Sequence, residues 1–212
     1  MNCPSNGPVF PRLTTARLVL RELTLEDAGW YLSHFSRPEI VSGQGYPAPD
    51  GLEGAREELQ RFVVDLAAQG TGGRWGIALK DHEALVGSVG FYDWDHKTRS
   101  AEIGYDLASK HWGKGLMREA LTAILDHCFE HLDLNRLQAL VLPRNERSQQ
   151  LLTGLGFTRE GLLRQHGVDE KGRLCDDLVF ALLRSERRAT SPQVTPRGRC
   201  GWQGPGLTAT RR

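Results

Sequence analysis

The chain has 212 residues, 39% of them apolar and 25% charged, with a formal net charge of +1. That length suits one well-buried domain and is short for two. From Ser185 onward six arginines face one acid, Glu186, a net of +5 that leaves −4 for residues 1–184; a mildly acidic globular part is a poor match for nucleic acid and does not repel a cationic amine.

Residues 1–11 carry Pro, Gly, Asn and Ser without periodicity and are expected to be disordered, as is the basic end, residues 185–212. Residues 12–184 read as one domain. Residues 17–23 alternate as a strand, and Thr24 with Asp27 marks a helix start that runs through Tyr31 and Leu32. Residues 36–49 are dense in Gly and Pro and read as a loop. Asp50 with Glu53 resembles a capping box that starts a helix with Leu52, Leu59, Phe62, Val63 and Leu66 on its apolar face, ended by Gly70. Residues 75–80 and 85–94 form a hairpin around Asp81, His82 and Glu83, and a turn near Lys97 and Thr98 feeds a strand that carries Glu102. A helix over residues 116–132 places Met117, Ala120, Leu121, Ile124, Leu125 and Cys128 on one stripe. Residues 137–142 form an apolar strand, and a short helix over residues 146–155 stops at Gly156. Residues 157–166 and 174–183 close the domain as a hairpin turning at residues 169–172. This order predicts a mixed α/β fold, a mostly antiparallel central sheet with flanking helices. The crossover through the long helix sets the Leu137 strand parallel to the Glu102 strand.

The four cysteines, Cys3, Cys128, Cys175 and Cys200, have no short spacing that suggests zinc or a redox pair, and Cys128 reads as a buried reduced thiol. His127 and His131 are four apart on a helix, but Cys128 stands where a zincin needs Glu, so no metal is expected. No apolar run approaches the roughly 18 residues of a membrane span and no signal-peptide core precedes the domain, which predicts a cytoplasmic protein without a membrane partner.

The most informative segment is residues 101–117, AEIGYDLASKHWGKGLM. A strand carrying Glu102 runs into a glycine-punctuated basic turn and opens directly into the long helix. Unpaired N–H groups at a helix start attract an anion. Gly113 and Gly115 let the backbone approach it, and Lys110 and Lys114 add positive charge. The implied ligand is a phosphate-bearing cofactor. Lys114 is followed by Gly115 rather than Ser or Thr, which departs from the Walker pattern, and Arg118 replaces the third glycine of the dinucleotide fingerprint.

The run Lys110-His111-Trp112-Gly113-Lys114-Gly115 instead resembles the coenzyme A pyrophosphate loop, Arg/Gln-x-x-Gly-x-Gly/Ala, of the GNAT N-acetyltransferase superfamily. Its flanks, residues 101–105 and 112–120, look most like the ribosomal-protein alanine N-acetyltransferase branch. The resemblance covers roughly residues 12–184. It implies the GNAT fold and acetyl-CoA as cosubstrate, with Leu107, Lys110, His111, Gly113, Lys114, Gly115, Leu116 and Asn145 at the cofactor. The acceptor it implies is a primary amine, first of all a protein N-terminal α-amine. A small amine or antibiotic acceptor, or a silent acyl-CoA-binding module, stays open, as does a homodimer.

Acetyl transfer needs a neutral amine, donors for the oxyanion and a thiolate that can leave. An α-amine has a pKa near about 8 against roughly 10.4 for lysine, so a modest base suffices for the former. Glu102 is the candidate base, the alternative being a strand acid with no role. Asn145-Glu146-Arg147-Ser148 resembles the family's Asn-x-x-Ser segment, on which Ser148 hydrogen-bonds the cofactor sulfur and Asn145 holds the pantetheine arm; for both, plain helix capping is the alternative. Many relatives place a tyrosine donor near the last strand, where this chain has Phe180. No cysteine sits beside a histidine and a carboxylate, which points to direct transfer rather than an acyl-enzyme. Trp75, Trp94 and Trp112 are candidates for a substrate groove or for the core.

Overall fold

The computed structural model describes residues 10–44 and 47–187. Eight strands form one sheet in the order β1-β2-β3-β4-β5-β6-β8-β7. They are β1 (Leu13–Thr14), β2 (Leu18–Glu22), β3 (Gly73–Leu79), β4 (His82–Asp95), β5 (Ser100–Leu107), β6 (Arg136–Val141), β7 (Thr158–Val168) and β8 (Leu174–Leu183). Every pairing is antiparallel except β5 with β6, which is parallel as the crossover predicts. That crossover is α5 (Leu116–Asp126), extended by a π turn at His127–His131.

Alternation along the strands sorts two apolar clusters. Ala101, Ile103 and Leu107 of β5 pack with Leu116, Ala120, Leu121, Ile124, Leu125 and Cys128 of the α5 stripe, and Leu152 of α6 (Glu146–Gly154) joins them. Burial of each such leucine or isoleucine contributes about 1.5–3 kcal/mol. Cys128 is buried there as expected, and burial pushes its thiol well above the usual range. Trp75 and Trp94 serve this core. The other cluster joins Leu23 to Ala28, Tyr31 and Phe35 of α1 (Ala28–Phe35), Ile40 of α2 (Pro38–Gln44) and Ala55 and Leu59 of α3 (Gly51–Leu59). α3 continues as a π turn over Gln60–Asp65 and α4 (Leu66–Gln69), closed by Gly70 at φ +68°.

Several boundaries differ from expectation. Residues 36–49 are not wholly a loop, because α2 occupies Pro38–Gln44. Pro38 takes the first helical position, where its missing N–H costs nothing. The C-terminal carbonyls of α2 are satisfied from β6's far end: Arg144 Nη2 donates to Ser42 O at 3.1 Å and Asn145 Nδ2 to Gly43 O at 3.2 Å. At the start of α3 the Asp50 side chain makes no capping bond, while Leu52 and Phe62 face solvent. By contrast Asp27 does accept the Thr24 N–H at 2.9 Å, and Arg21 pins both its oxygens.

The domain also extends past both expected edges. Phe10 is buried edge-on against Trp75 with ring centroids 4.7 Å apart, and Trp75 Nε1 donates to Pro11 O at 3.0 Å. Beyond β8, Arg187 Nη2 donates to Asp126 Oδ1 at 2.6 Å. The remainder of both expected disordered ends, and Cys3 and Cys200, lie outside the described residues. Among the described residues no helix is long and apolar enough to cross a membrane.

A buried polar cluster ties α1 to the sheet. The Asp106 carboxylate accepts from His34 Nε2 at 2.6 Å, Arg74 Nη2 at 2.6 Å, and both the N–H and the hydroxyl of Ser88. Burial alone would raise its pKa, yet the His34 bond and the Arg74 charge hold it below the ordinary value. Removing one partner of such a set leaves the rest uncompensated, so Asp106→Asn is expected to cost about 3–5 kcal/mol in urea unfolding. A carboxylate with a lowered folded pKa stabilises above its unfolded value of about 3.9 and loses that contribution as pH falls. The parent should therefore lose stability below pH about 4 more steeply than the variant. A chain cut after Arg187 should keep its melting temperature, whereas one cut after Arg184 should melt lower for want of the Arg187–Asp126 pair.

Candidate active site

β5 and β6 pair through only three residue pairs, the last being Glu102 with Gln138. Beyond them Ile103–Leu107 stay with β4 and Ala139–Val141 with β8, so the strands part. Glu102 sits where the parting begins. Tyr92 donates its hydroxyl to Glu102 Oε1 at 2.7 Å and Gln138 Nε2 donates to Oε2 at 3.3 Å. Burial pushes the Glu102 pKa above the usual carboxylate value, and these two bonds partly oppose it. The carboxylate is thus fixed in direction and made a stronger base.

The other face of β5 carries Tyr105. Its hydroxyl lies 2.6 Å from Ser148 Oγ in the first turn of α6. Burial raises the phenol to about 12, so it stays protonated, and either hydroxyl can donate to the other. With Tyr105 as the donor, the Ser148 O–H is free to point elsewhere. Ser148 N donates to Asn145 Oδ1 at 3.1 Å, which makes Asn145 the α6 cap. The same Asn145 holds Gly43, and Ser109 donates to Glu39 Oε1 at 2.7 Å. Helix α2 consequently bridges the open ends of β5 and β6, tied to each.

The glycine turn completes the arrangement. Gly113 and Gly115 stand at φ +72° and +73°, the left-handed region that favours glycine. A Cβ on Gly113 would meet nothing of the protein within 4 Å, so this side of the turn is open. The N–H groups of Gly113, Lys114 and Gly115 take no protein acceptor among the described residues, and the first turn of α5 adds unpaired donors. Burial, then the charges of Lys110, Lys114 and Arg37, lower the His111 pKa, so three cations lie near this turn. These groups fit a pyrophosphate. Leu116 is buried and gives only its backbone, and the Leu107 carbonyl accepts Trp112 Nε1 at 2.6 Å. Trp112 in turn stacks under Arg147, 4.2 Å from the ring centre.

The family described as the acetyltransferase (GNAT) domain matches residues 17–158. The chain belongs to the GNAT acetyltransferase family. It is an N-acetyltransferase, and the family draws its acetyl group from acetyl-CoA. This GNAT domain is 40% identical to the uncharacterised N-acetyltransferase p20 of Bacillus licheniformis over 82% of the chain and 97% of that relative. It is 31% identical to the [ribosomal protein uS5]-alanine N-acetyltransferase of Escherichia coli over 91% of the chain and 96% of the relative. Mycobacterium smegmatis RimJ, solved in complex with CoA-disulfide, superposes with a TM-score of 0.73 at 28% identity, covering 86% of this chain and 88% of that one. Spermidine N-acetyltransferase from Vibrio cholerae, solved with CoA and spermine, gives 0.70 at 25% identity over 80% of this chain and 96% of that one.

Among the residues expected at the site, the structure groups Lys110, His111, Gly113, Lys114, Gly115 and Leu116 in one turn and sets Glu102 and Ser148 toward opposite faces of β5. Tyr105, Tyr92 and Gln138 are additions. Tyr105 supplies the phenol that Phe180, buried in the core, does not. Its signal was the alternation that turns residues 101, 103, 105 and 107 to the core, where a hydroxyl needs a partner. For Gly113→Val, the left-handed backbone costs about 1–2 kcal/mol. Such a protein should fold with a slightly lower melting temperature yet bind coenzyme A at least about tenfold more weakly by calorimetry, an interaction loss of about 1.4 kcal/mol.

Proposed function

We propose that this GNAT domain acetylates a protein N-terminal α-amine, of the ribosomal-protein type, by direct transfer within a ternary complex. The observation that carries this reading is the placement of a half-buried, doubly held carboxylate and a serine–tyrosine pair on opposite faces of β5, where it parts from β6. The likeness to the uS5-alanine enzyme supports the acceptor class. Ribosomal-protein chemistry would place the reaction in the cytoplasm.

Acetyl-CoA supplies an activated acyl group. Its pyrophosphate is assigned to Gly113, Lys114 and Gly115 with Lys110 and His111 beside it, and Asn145 shapes the edge of the pantetheine path while capping α6. Glu102 takes the proton of the attacking amine, directly or through water. As the N–C bond forms and the C–S bond breaks, the Ser148 O–H donates a hydrogen bond to the departing thiolate and keeps its proton, the thiolate later taking one from solvent, and Tyr105 holds Ser148 in that orientation.

A polyamine acceptor is the second reading, favoured by Asp93 and Asp177, whose negative charges bear on Glu102, together with the structural likeness to the spermidine enzyme. An Ala-initiated peptide and spermidine assayed side by side decide: higher kcat/KM on the peptide is expected. The base is tested by the pH profile. A Glu102→Gln variant should lose most rate at low pH and approach the parent as pH passes the α-amine pKa of about 8. Tyr92→Phe removes a bond that favours the ionised carboxylate, so the acidic limb should move to higher pH. Equal kcat/KM for Glu102→Gln and the parent at every pH, with coenzyme A still bound, would sink the assignment.

A further inference from the structure

Arg17 immediately precedes β2 and has no part in the chemistry above, yet its bonds converge on the glycine turn. Its backbone N–H donates to Glu119 Oε1 and its Nε to Glu119 Oε2, both at 2.7 Å. Thr15 Oγ1 adds a bond to Oε1 at 2.6 Å. The same guanidinium donates Nη1 to the backbone carbonyl of Lys114 at 2.9 Å. Glu119 lies in the first turn of α5 and Lys114 in the loop before it. One planar fork therefore joins the sheet, the helix start and the turn.

The peptide between Lys114 and Gly115 is trans, so its C=O and N–H point in opposite directions. With the carbonyl drawn to Arg17, the Gly115 N–H is directed away from Arg17. A Cβ on Gly115 would lie 3.5 Å from Arg17 Nη2, which places the guanidinium on the closed side of the turn. Nothing else among the described residues fixes this peptide: Gly115 is glycine, its N–H has no protein acceptor, and Lys114 carries no other backbone bond. A flip would turn a carbonyl oxygen toward the anion in place of an N–H. Glu119 offsets the guanidinium's charge, so Arg17 acts through the peptide and not as a bare cation.

We infer that Arg17 is a positioning residue for the cofactor, holding the Lys114 carbonyl so that the Gly115 N–H faces the pyrophosphate. This rests on the reading of the turn as the pyrophosphate site. An N–H bond to a charged group contributes about 1.5–3 kcal/mol, so Arg17→Ala should weaken coenzyme A binding about 10- to 100-fold in calorimetry. S-acetylpantetheine, which lacks the pyrophosphate, should bind the variant and the parent alike in an NMR titration. Arg17→Lys keeps the charge but lacks the two spaced nitrogens, Nε and Nη1, that reach Glu119 and the Lys114 carbonyl together. It should fold like the parent and show the same selective loss, which covers the case in which the alanine variant unfolds. Unchanged coenzyme A affinity in a folded variant overturns the inference, as does equal weakening of both ligands, which would mark general damage to the fold. Failure of the parent to bind coenzyme A is a separate result and would overturn the reading of the turn itself.

Discussion

The site depends on one constraint, the brevity of the β5–β6 ladder. These strands form the parallel pair of the sheet, and a parallel pair needs a long crossover, here α5. The crossover begins at the turn after β5, so its N-terminus lies at the same end of the sheet toward which the strands part. Three pairs hold the strands together at residues 100–102, and each strand then follows its other neighbour. Unpaired backbone groups on the facing edges would be costly if buried without partners, so a gap of this kind needs an occupant or water. A thioester arm whose phosphates rest on the α5 N-terminus and whose acyl end reaches Glu102 is an occupant of the right shape and polarity.

The gap also separates two kinds of proton handling. On the α1 side Glu102 is a carboxylate made more basic by burial, and the two donors that oppose this shift also fix its direction. On the α5 side burial keeps the Tyr105 phenol protonated. The two shifts share one cause, exclusion of water, and on the proposed mechanism they serve opposite ends, since Glu102 takes a proton and Tyr105 keeps its own. Four positions beyond Glu102 on the same face of β5, Asp106 stays ionised because His34, Arg74 and Ser88 outweigh its burial. Two acids on one strand face thus differ in basicity because their donors differ in number and charge.

What could be read from the sequence is local in origin. The glycine turn, the α5 stripe, the parallel crossover and the 169–172 turn follow from patterns within about twenty residues, and the structure reproduces them. The misses are tertiary. α2 was hidden by its glycines and prolines because the groups that cap it, Arg144 and Asn145, come from across the fold. Asp50 looked like a cap in sequence, but its side chain makes no such bond. Phe10 lies in a segment of disordered composition and is retained by Trp75 and Phe91. Glu102 and Ser148 were legible as motif positions, whereas Tyr105 and Arg17 matter through partners 43 and 97 positions away.

The placement of α2 bears on how an acceptor approaches. It is tied to Ser109 beyond β5 and to Arg144 and Asn145 beyond β6, so it spans the end of the gap toward which the strands diverge. Glu102 faces the α1 side of the sheet, so on the proposed mechanism the acceptor amine approaches from that side. Glu170 in the β7–β8 turn pairs with Arg144 at 2.5 Å, so the hairpin leans on the same strut. The proposed acceptor, a chain N-terminus, carries its amine at the leading end of an extended segment. A lysine amine, with a pKa of roughly 10.4 against about 8 for an α-amine, is neutral far less often at the same pH and would ask more of Glu102. Basicity and reach thus both support the proposed acceptor, a chain end.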